Sequence, residues 1–452
     1  MIINLVVTAH QQLRAWLNED LLKELERENV VNIWAPKKLK NSVKNSTSRH
    51  INLYSFEEDQ SLSSLHTICL NINHKSSLTF RRLILESFFW NKTSRYQGLI
   101  QKTRAYARQI ARSKTLLNLL IFKRLRKKIQ DTINSKIVQT KIDFTPSDIN
   151  IVVSSNSDLF HEIVIENLVK TKKPLIQVME NWDNISSKVC PSDKADALVV
   201  WSQQTRRHAS DIHGFPFEKI HVLGSSRLNN QPFQKLRNEL TLRETKANSN
   251  IKLFYPGFGG SHETLDYFID MLNDINGEKD TFNLVFRPHP LLQNKLDSDC
   301  NQKIPELLKR DSPKTNQEVD PIWPILDPAI YTEMIDADVV IGTPSTFLLE
   351  AMLLKKKIIL DYRKLNSEHS PRTLFESRTH FIEIVESNRI PKLRKIEDLE
   401  KLVGDVLKSD QDYEDLLKDL IVEPEKTFSI SLRDLVLSVV GENLQGESGL
   451  SQ

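Results

Sequence analysis

The sequence predicts an α/β protein made of two doubly wound, Rossmann-like domains that face a cleft. Short β-branched runs alternate with helix-forming stretches in both halves of the chain, and this alternation is typical of parallel sheets with right-handed crossovers. The 452 residues are too many for one ordinary hydrophobic core and fit two domains. A polar, helix-prone stretch separates the two alternating sets, as an inter-domain linker does.

The domain bounds follow from where each alternating set begins and ends. We predict the first domain at 1–228, the linker at 229–250 and the second domain at 251–440. The last residues, 441–452, are polar and contain several glycines, so a disordered tail is predicted there. The predicted strands are 2–7, 30–35, 51–54, 149–154, 175–179, 198–201 and 220–223 in the first domain, then 251–255, 282–286, 339–341 and 358–360 in the second, with a further one near 381–384.

A strongly basic segment separates the third and fourth predicted strands. Residues 75–141 contain 17 Lys and Arg against two acids, whereas the net charge of the whole chain is only +3. This excess predicts a helical insertion that docks on an anionic membrane surface or grips a charged glycan. A core-facing helix with a basic outer face is the alternative. Because no recognised nucleic-acid motif accompanies the segment, no nucleic-acid partner is expected.

Composition narrows the setting in which the protein works. Cys69, Cys190 and Cys300 form no CxxC motif or Cys/His cluster, so neither a zinc site nor a disulfide framework is predicted. A reducing, cytoplasmic location is therefore expected. The amino-terminal apolar run is short and lacks a basic flank, and no stretch approaches the roughly 20 apolar residues of a membrane span. We expect any membrane contact to be peripheral, on the inner face of the cytoplasmic membrane.

Chemically active residues follow each predicted strand of the second domain. Open parallel sheets bind ligands at the carboxyl ends of their strands, so residues at these positions are candidates for one site. The four strand ends are followed in turn by the stretches PGFGGS, RPHP, GTPST and DY. The candidate residues in these stretches are Gly259, Gly260, Arg287, His289, Thr343, Ser345, Thr346 and Asp361.

These residue types together favour a nucleotide-diphosphate site. A helix start that carries hydroxyls offers donors to phosphate, glycines allow close approach, and Arg287 and His289 supply charge-assisted hydrogen bonds. Glu350, one helical turn beyond Ser345 and Thr346, suits the diol of a ribose. Each element alone has a plainer explanation as a turn or a helix cap, but four strand ends together favour a site. Neither a GxxxxGK[ST] loop nor a GxGxxG fingerprint is present.

Two DxD-like pairs raise the alternative of a cation site. Asp297 and Asp299 lie in a polar loop, and Asp336 and Asp338 lie where a helix leads into a strand. Carboxylate pairs of this spacing hold a cation in some sugar transferases. We interpret both pairs as structural and expect neither an essential metal nor a separate cofactor.

Several of these stretches resemble the GT-B glycosyltransferase superfamily. The stretch GTPSTFLLEA is similar to the nucleotide-binding segment of that fold, and FRPHP is similar to teichoic-acid glycerophosphotransferases and bacterial surface-polysaccharide transferases. The stretch ENWDNISSK resembles a segment of uncharacterised GT-B-like proteins. The resemblance covers about 175–362 and implies donor-binding roles for Arg287, His289, Ser345, Thr346 and Glu350.

The resemblance also implies a metal-independent transferase. Such an enzyme moves a glycosyl or phosphopolyol group from a nucleotide-sugar or CDP-polyol donor to a glycan or lipid-linked acceptor. His10 stands where some GT-B enzymes place their general base, although it also suits the start of the first helix. Asp183 is the rival base, and a turn-forming role is its alternative. A nucleotide-sugar 2-epimerase and a non-catalytic glycan- or polyanion-binding protein are the alternative functions.

Overall fold

The computed structural model of the chain divides into two units. Unit 1 comprises Met1–Asn230 and Val422–Gln452, and unit 2 comprises Gln231–Ile421. The structure describes residues 1–9, 12–17, 19–37, 51–54, 131, 135, 137–155, 159–229, 233–235, 237–238, 251–257, 282–287, 328–364, 370–422 and 426–449.

Unit 1 is built on a parallel sheet of seven strands. They are β1 (Ile2–Val7), β2 (Val30–Pro36), β3 (Ile51–Tyr54), β4 (Ile149–Ser154), β5 (Leu175–Met179), β6 (Ala197–Val200) and β7 (Ile220–Val222). Their order across the sheet is β3-β2-β1-β4-β5-β6-β7, and every neighbouring pair is parallel. The order reverses between β1 and β4, which is the place where doubly wound sheets open a crevice for ligands.

The helices of unit 1 cover the sheet because its central strands are apolar on both faces. All six residues of β4 are buried, as expected for a parallel strand between two helical layers. The helix at 203–213 is well delimited: Ser202 and Thr205 form a capping box, and Gly214 ends the helix with a φ of 70°. The helices of this part of the chain are α1 (Gln12–Trp16), α2 (Glu19–Glu26), α3 (Leu159–Lys170), α4 (Asn184–Ser187) and α5 (Gln203–His213).

Unit 2 is built on a second, five-stranded sheet. Its strands are β8 (Ile251–Pro256), β9 (Phe282–Arg287), β10 (Val339–Gly342), β11 (Lys357–Asp361) and β12 (Lys392–Leu393). The order is β12-β11-β10-β8-β9, again with parallel neighbours. Here the order reverses between β8 and β10, so the ligand crevice of this sheet is expected at their carboxyl ends.

The core of unit 2 lies between this sheet and its helices. It joins strand residues such as Leu253, Ile341 and Ile359 to Val403 and Val406 of the helix at 399–408. Every residue of the helix at 347–353 is buried. The helices are α6 (Pro328–Asp336), α7 (Phe347–Leu353), α8 (Pro371–Ser377), α9 (Ile382–Glu386), α10 (Leu399–Lys408) and α11 (Glu414–Leu420).

The end of the chain differs from the expectation, because 422–452 groups with unit 1 instead of closing the second domain or forming a tail. Helix α12 (Phe428–Gly449) packs against α2. Arg433 bonds Glu24 at 2.6 Å, and the ring of Phe428 meets the edge of Trp16 with centroids 5.6 Å apart.

The strand and helix alternation confirms the predicted fold class of two doubly wound α/β domains. Eleven of the predicted strands are present within one residue at each end. The strand expected near 381–384 is wrong, because these residues end a 3₁₀ turn and begin α9. Phe381 and Ile384 are buried while Ile382 is exposed, which is the three-residue spacing of a helix face.

Several predictions concern residues outside the described part of the chain. These include nearly all of the basic segment 75–141 and most of the linker at 229–250. Among the described helices, none combines the length and the apolar character that crossing a membrane requires.

Candidate functional site

The crevice of unit 2 is bordered by a hydroxyl that joins β8 to β10. Thr343, which directly follows β10, is buried and donates from Oγ1 to the carbonyl of Pro256 at the end of β8, at 2.7 Å. The Oγ atoms of Ser345 and Thr343 lie 3.1 Å apart. Thr343 therefore fixes the mouth of the crevice, and Ser345, which is partly exposed, lies at its rim.

Gly342 allows α7 to lie close to the ends of β10 and β11. A Cβ at this position would come within 2.8 Å of Leu348 Cδ1 and 3.1 Å of Leu360 Cδ2. Contacts this short require neighbouring side chains to move. The glycine of the GTPST stretch is thus a packing residue, which brings Thr343 and Ser345 to the edge of the sheet.

The hydroxyl of Thr346 does not cap the helix that it precedes. Thr346 is the residue before α7, has helical backbone angles and makes no side-chain capping hydrogen bond. The plainer explanation of this residue as a helix cap therefore does not hold. Ser345 and Thr346 are both partly exposed, and their role as ligand donors stays a prediction.

Arg287 ends β9 at the same edge of the sheet. Its guanidinium lies 3.7 Å from Glu333 on α6, a distance longer than a hydrogen bond, and both side chains are partly exposed. Its carbonyl accepts from the amide of Gly257, the residue after β8, at 2.7 Å. The strand end is therefore held by the backbone, while the guanidinium lies near α6. Gly259, Gly260 and His289, the other predicted residues of these two strand ends, lie outside the described residues.

Glu350 lies on α7, one turn beyond Thr346, as the sequence predicts. Only 3% of it is exposed. A buried carboxylate requires polar partners, so a ribose diol is a suitable partner only where the ligand reaches below the surface of α7. The role of Glu350 in holding a ribose stays a prediction.

Asp361 is engaged within the protein. The carboxylate is fully buried at the end of β11 and accepts from Tyr255 Oη at 2.8 Å. Arg363 donates to it from Nε at 2.8 Å and from Nη2 at 3.1 Å. Because both oxygens already have partners, the geometry favours a role in fixing the end of β11 over direct contact with a donor.

The second DxD-like pair belongs to the opposite edge of the sheet. Asp338 Oδ2 accepts from the amide of Lys252 at 2.7 Å, and the Asp338 amide donates to the Lys252 carbonyl at 2.9 Å. These bonds join the amino ends of β8 and β10. The pair is thus remote from the crevice edge, in agreement with its interpretation as structural. Asp297 and Asp299 lie outside the described residues.

A buried amide lies where β1 and β4 end in unit 1. Gln12 Nε2 donates to the carbonyl of Val153 at 3.1 Å and to Ser155 Oγ at 3.0 Å, so it joins α1 to the end of β4. Its Oε1 accepts from the amide of Thr8 at 2.6 Å. Residues on both sides of position 10 are therefore anchored, whereas His10 itself lies outside the described residues.

A buried acid that sequence reasoning missed lies at the same edge. Glu180 directly follows β5, is 7% exposed, and accepts from the indole N–H of Trp16 at 2.7 Å. Burial raises the pKa of Glu180 to about 8, although the Trp16 hydrogen bond and the charge of Arg227 both act to lower it. The signal for it in the sequence is its position directly after a predicted strand.

Asp183, the rival base, is paired with a neighbouring cation. Its carboxylate lies 2.8 Å from Lys188 Nζ, and its carbonyl, just before α4, accepts from the hydroxyls of Ser186 and Ser187. These contacts anchor the residue without the side-chain hydrogen bond of an Asx turn. The catalytic role of Asp183 stays a prediction, and the described contacts favour the structural role.

The structure therefore gathers part of the predicted site. Arg287, Thr343, Ser345 and Thr346 share the crevice edge of unit 2, with Glu350 a helical turn behind, while Asp183 belongs to unit 1. Among the described residues, no group of three or more His, Cys, Asp or Glu is arranged to hold a metal.

No protein-family model matches the chain, and no curated protein matches it. Among solved structures it is similar to the glycotransferase of kitacinnamycin, with 11% identity, a TM-score of 0.49, and 97% of this chain and 98% of that one covered. The wall teichoic acid polymerase TagF gives 11% identity and a TM-score of 0.49 over 98% of this chain and 89% of that one. For UDP-GlcNAc 2-epimerase from Neisseria meningitidis bound to UDP-GlcNAc, the identity is 11% and the TM-score is 0.45. The similarity covers 98% of this chain and 100% of that one.

These similarities leave the donor and the acceptor open.

Proposed function

We propose that this protein is a transferase that moves a glycosyl or phosphopolyol group from a nucleotide-activated donor to a glycan or lipid-linked acceptor. The observation that carries the proposal is the set of partly exposed donors at the β8/β10 crevice: Ser345, Thr346 and Arg287. Hydroxyl and guanidinium groups are suited to diphosphate oxygens. Their position is the one at which doubly wound sheets bind nucleotides.

Each donor-site residue has a distinct part in this proposal. Ser345 and Thr346 donate to the phosphates, and Arg287 binds the diphosphate. Thr343 holds the crevice mouth by its bond to Pro256. His289, Gly259 and Gly260 keep the roles expected from the sequence, in which a charge-assisted donor is aimed at phosphate and the backbone approaches closely. Glu350 accepts from the ribose.

The chemistry that follows is a displacement at the transferred group. The acceptor hydroxyl attacks, the bond to the nucleotide phosphate oxygen breaks, and negative charge grows on the leaving nucleotide. Arg287 and the hydroxyls stabilise that charge. The acceptor proton passes to a base of unit 1, for which His10, Asp183 and Glu180 are the candidates. Glu180 is favoured over Asp183, because a pKa of about 8 suits proton exchange near neutral pH.

The protein is proposed to act in the cytoplasm, with the basic segment 75–141 docking it on anionic lipid near a lipid-linked acceptor. Its surplus of Lys and Arg supports this step. Flotation with vesicles of phosphatidylcholine and phosphatidylserine tests it. Wild type should float with the vesicles, and a variant neutralised at 123–128 should float less. Equal flotation of the two proteins would contradict the step.

Thermal stability in the presence of UDP-, CDP-, GDP- and CMP-linked compounds tests the donor proposal. One nucleotide class should stabilise the wild type by about 2.7 kcal/mol at a concentration of 100 times its Kd. Ser345→Ala should lose most of this gain, whereas Ser409→Ala, an exposed serine near the start of β11 at the opposite edge, should keep it. No gain with any class would contradict the donor site. Turnover of a donor without an acceptor would favour the 2-epimerase alternative.

A further inference from the structure

A cationic cluster lies at the carboxyl edge of unit 2 beyond the candidate donor site. Strands β11 and β12 continue the sheet from β10 on the side away from β8. Arg363 and Lys364 follow β11, and Arg394 and Lys395 follow β12. Because parallel strands end at the same edge, these cations share the edge of the donor crevice. The donor proposal uses none of them as a ligand contact.

Two arginines from different elements contact the ring of one tyrosine, Tyr362. The guanidinium of Arg372 on α8 lies 5.3 Å from the ring centroid of Tyr362, and that of Arg394 lies 5.2 Å from it. Both distances are within the range of cation–π attraction. Tyr362 Oη donates to Glu376 at 2.8 Å, so the ring itself is fixed. The cluster is thus a built arrangement and not a chance run of surface charges.

The pairing within the cluster leaves net positive charge on its outer side. Arg363 is bonded to Asp361, and Arg372 donates to Glu376 at 2.7 Å. Arg394, Lys364 and Lys395 are exposed. Lys364 acts electrostatically on Glu376, whereas no ion pair joins Arg394 or Lys395 to a carboxylate among the described residues. The exposed acids Glu397 and Asp398 follow on the next turn. Burial and then the nearby charge of Arg394 lower the pKa of Lys392, which agrees with a positive local potential.

We infer that Arg394, together with Lys364 and Arg372, forms a second anion subsite that binds a phosphate carried by the acceptor. The planar guanidinium of Arg394 matches phosphate oxygens, and Lys364 adds a point charge. This inference rests on the proposed transferase function, since the acceptor has to lie beside the donor.

Distance separates this subsite from the donor diphosphate. Neighbouring strands are about 4.8 Å apart, so the ends of β11 and β12 lie roughly 5 and 10 Å from that of β10. The donor crevice opens on the other side of β10, toward β8. A diphosphate held by Ser345 and Arg287 therefore leaves Arg394 for a different phosphate.

Calorimetric titration with inorganic tripolyphosphate, and separately with UDP and CDP, tests the subsite. Arg394→Gln should weaken tripolyphosphate binding about tenfold, the loss expected for one charge-assisted contact, and leave nucleotide affinity unchanged. Arg389→Gln is the matched control, because Arg389 precedes β12 at the opposite edge and pairs with Asp415. It should change neither affinity. Glu376→Gln, which removes the acid beside Arg372, should tighten tripolyphosphate binding.

The outcomes separate this inference from the donor proposal. Equal losses in Arg394→Gln and Arg389→Gln would overturn the subsite, as would a loss with Ser345→Ala but none with Arg394→Gln. If Arg394→Gln weakens nucleotide binding as much as tripolyphosphate binding, Arg394 belongs to the donor site. That result would also overturn the proposed second subsite. If no nucleotide binds the wild type but the Arg394 effect persists, the donor proposal fails and the anion subsite stands.

Discussion

The carboxyl edges of the two sheets differ in chemistry although both sheets are parallel and doubly wound. At the edge of unit 1, a buried acid, Glu180, follows β5, and Gln12 joins α1 to the end of β4. The edge of unit 2 carries Ser345 with Thr346 at its rim and arginines at the ends of β9 and β12. Topology thus sets where a ligand crevice can lie, and the residue types decide which ligand fits it.

The difference is the basis for the separate tasks proposed for the two units. Hydroxyls and cations suit an anionic nucleotide, so the donor is proposed for unit 2. A carboxyl group kept in apolar surroundings suits proton transfer, so the base is proposed for unit 1. Mutations in the two edges should therefore separate cleanly into those that change nucleotide binding and those that change pH dependence.

The largest expected effect concerns the acid edge of unit 1. Burial raises the pKa of Glu180 from 4.5 to about 8, so the folded state retains a proton that the unfolded state loses. The resulting stability is full below about pH 4.5 and is lost as the pH rises to about 8, by up to about 5 kcal/mol. Glu180→Gln should remove this decline in urea unfolding measured from pH 4.5 to 8.

An exposed acid supplies the control for that prediction. Glu218 lies on the exposed 3₁₀ turn before β7, and Glu218→Gln should follow the wild-type dependence on pH. If the Glu180→Gln and wild-type curves remain parallel, Glu180 is not the buried acid that distinguishes unit 1.

The next effect concerns the buried pair that fixes the end of β11. Arg363→Ala leaves the carboxylate of Asp361 without its cation, and breaking a buried pair in this way costs about 3–5 kcal/mol. Denaturant unfolding of unit 2 should show this loss. Asp361→Asn combined with Arg363→Ala removes the uncompensated charge and should recover part of it. A double variant less stable than Arg363→Ala alone would refute the structural role of the pair.

A smaller effect tests whether unit 2 needs the close approach of α7. Gly342→Ala places a Cβ 2.8 Å from Leu348 Cδ1, and overpacking of this kind costs about 1–3 kcal/mol. It should also weaken nucleotide binding by moving Ser345. Gly404, on α10, has open space around its Cβ position, so Gly404→Ala should stabilise the helix by about 0.5–1 kcal/mol. Equal melting temperatures for the two variants would exclude a packing role for Gly342.

The smallest effect sharpens the choice of base in unit 1. The pair of Asp183 with Lys188 is partly exposed, so Asp183→Asn should lower the free energy of unfolding by about 0–1 kcal/mol. Its turnover with a donor and acceptor should stay within about threefold of wild type if the residue only forms the turn. A loss of about 100-fold or more would instead identify Asp183 as the base.

The strands were predictable because their apolar, β-branched runs are long enough to mark a buried parallel sheet. The GTPST turn was predictable as a crevice edge for the same reason, since it follows such a run. Sequence spacing did not show that Glu180 is buried against Trp16, because the two residues are far apart in the chain. It also did not show that Arg363 neutralises Asp361, since that contact depends on the bend after β11.

The helix at α9 and the end of the chain show a second limit. In the stretch FIEI, the apolar residues fit both the alternating pattern of a strand and the spacing of a helix. Packing against the rest of the fold stabilises the helix. The last helix is bound to unit 1 through Trp16 and Glu24. The local sequence pattern at 428–449 does not predict contacts with residues that lie more than 400 positions earlier in the chain.

Hydrogen–deuterium exchange with the nucleotide that stabilises the protein most tests the contrast between the two edges directly. The account predicts that the nucleotide slows exchange at 339–350, where β10 ends and α7 begins, and leaves 180–187 at the edge of unit 1 unchanged. Protection confined to 180–187, with none at 339–350, would contradict the assignment of the donor to unit 2.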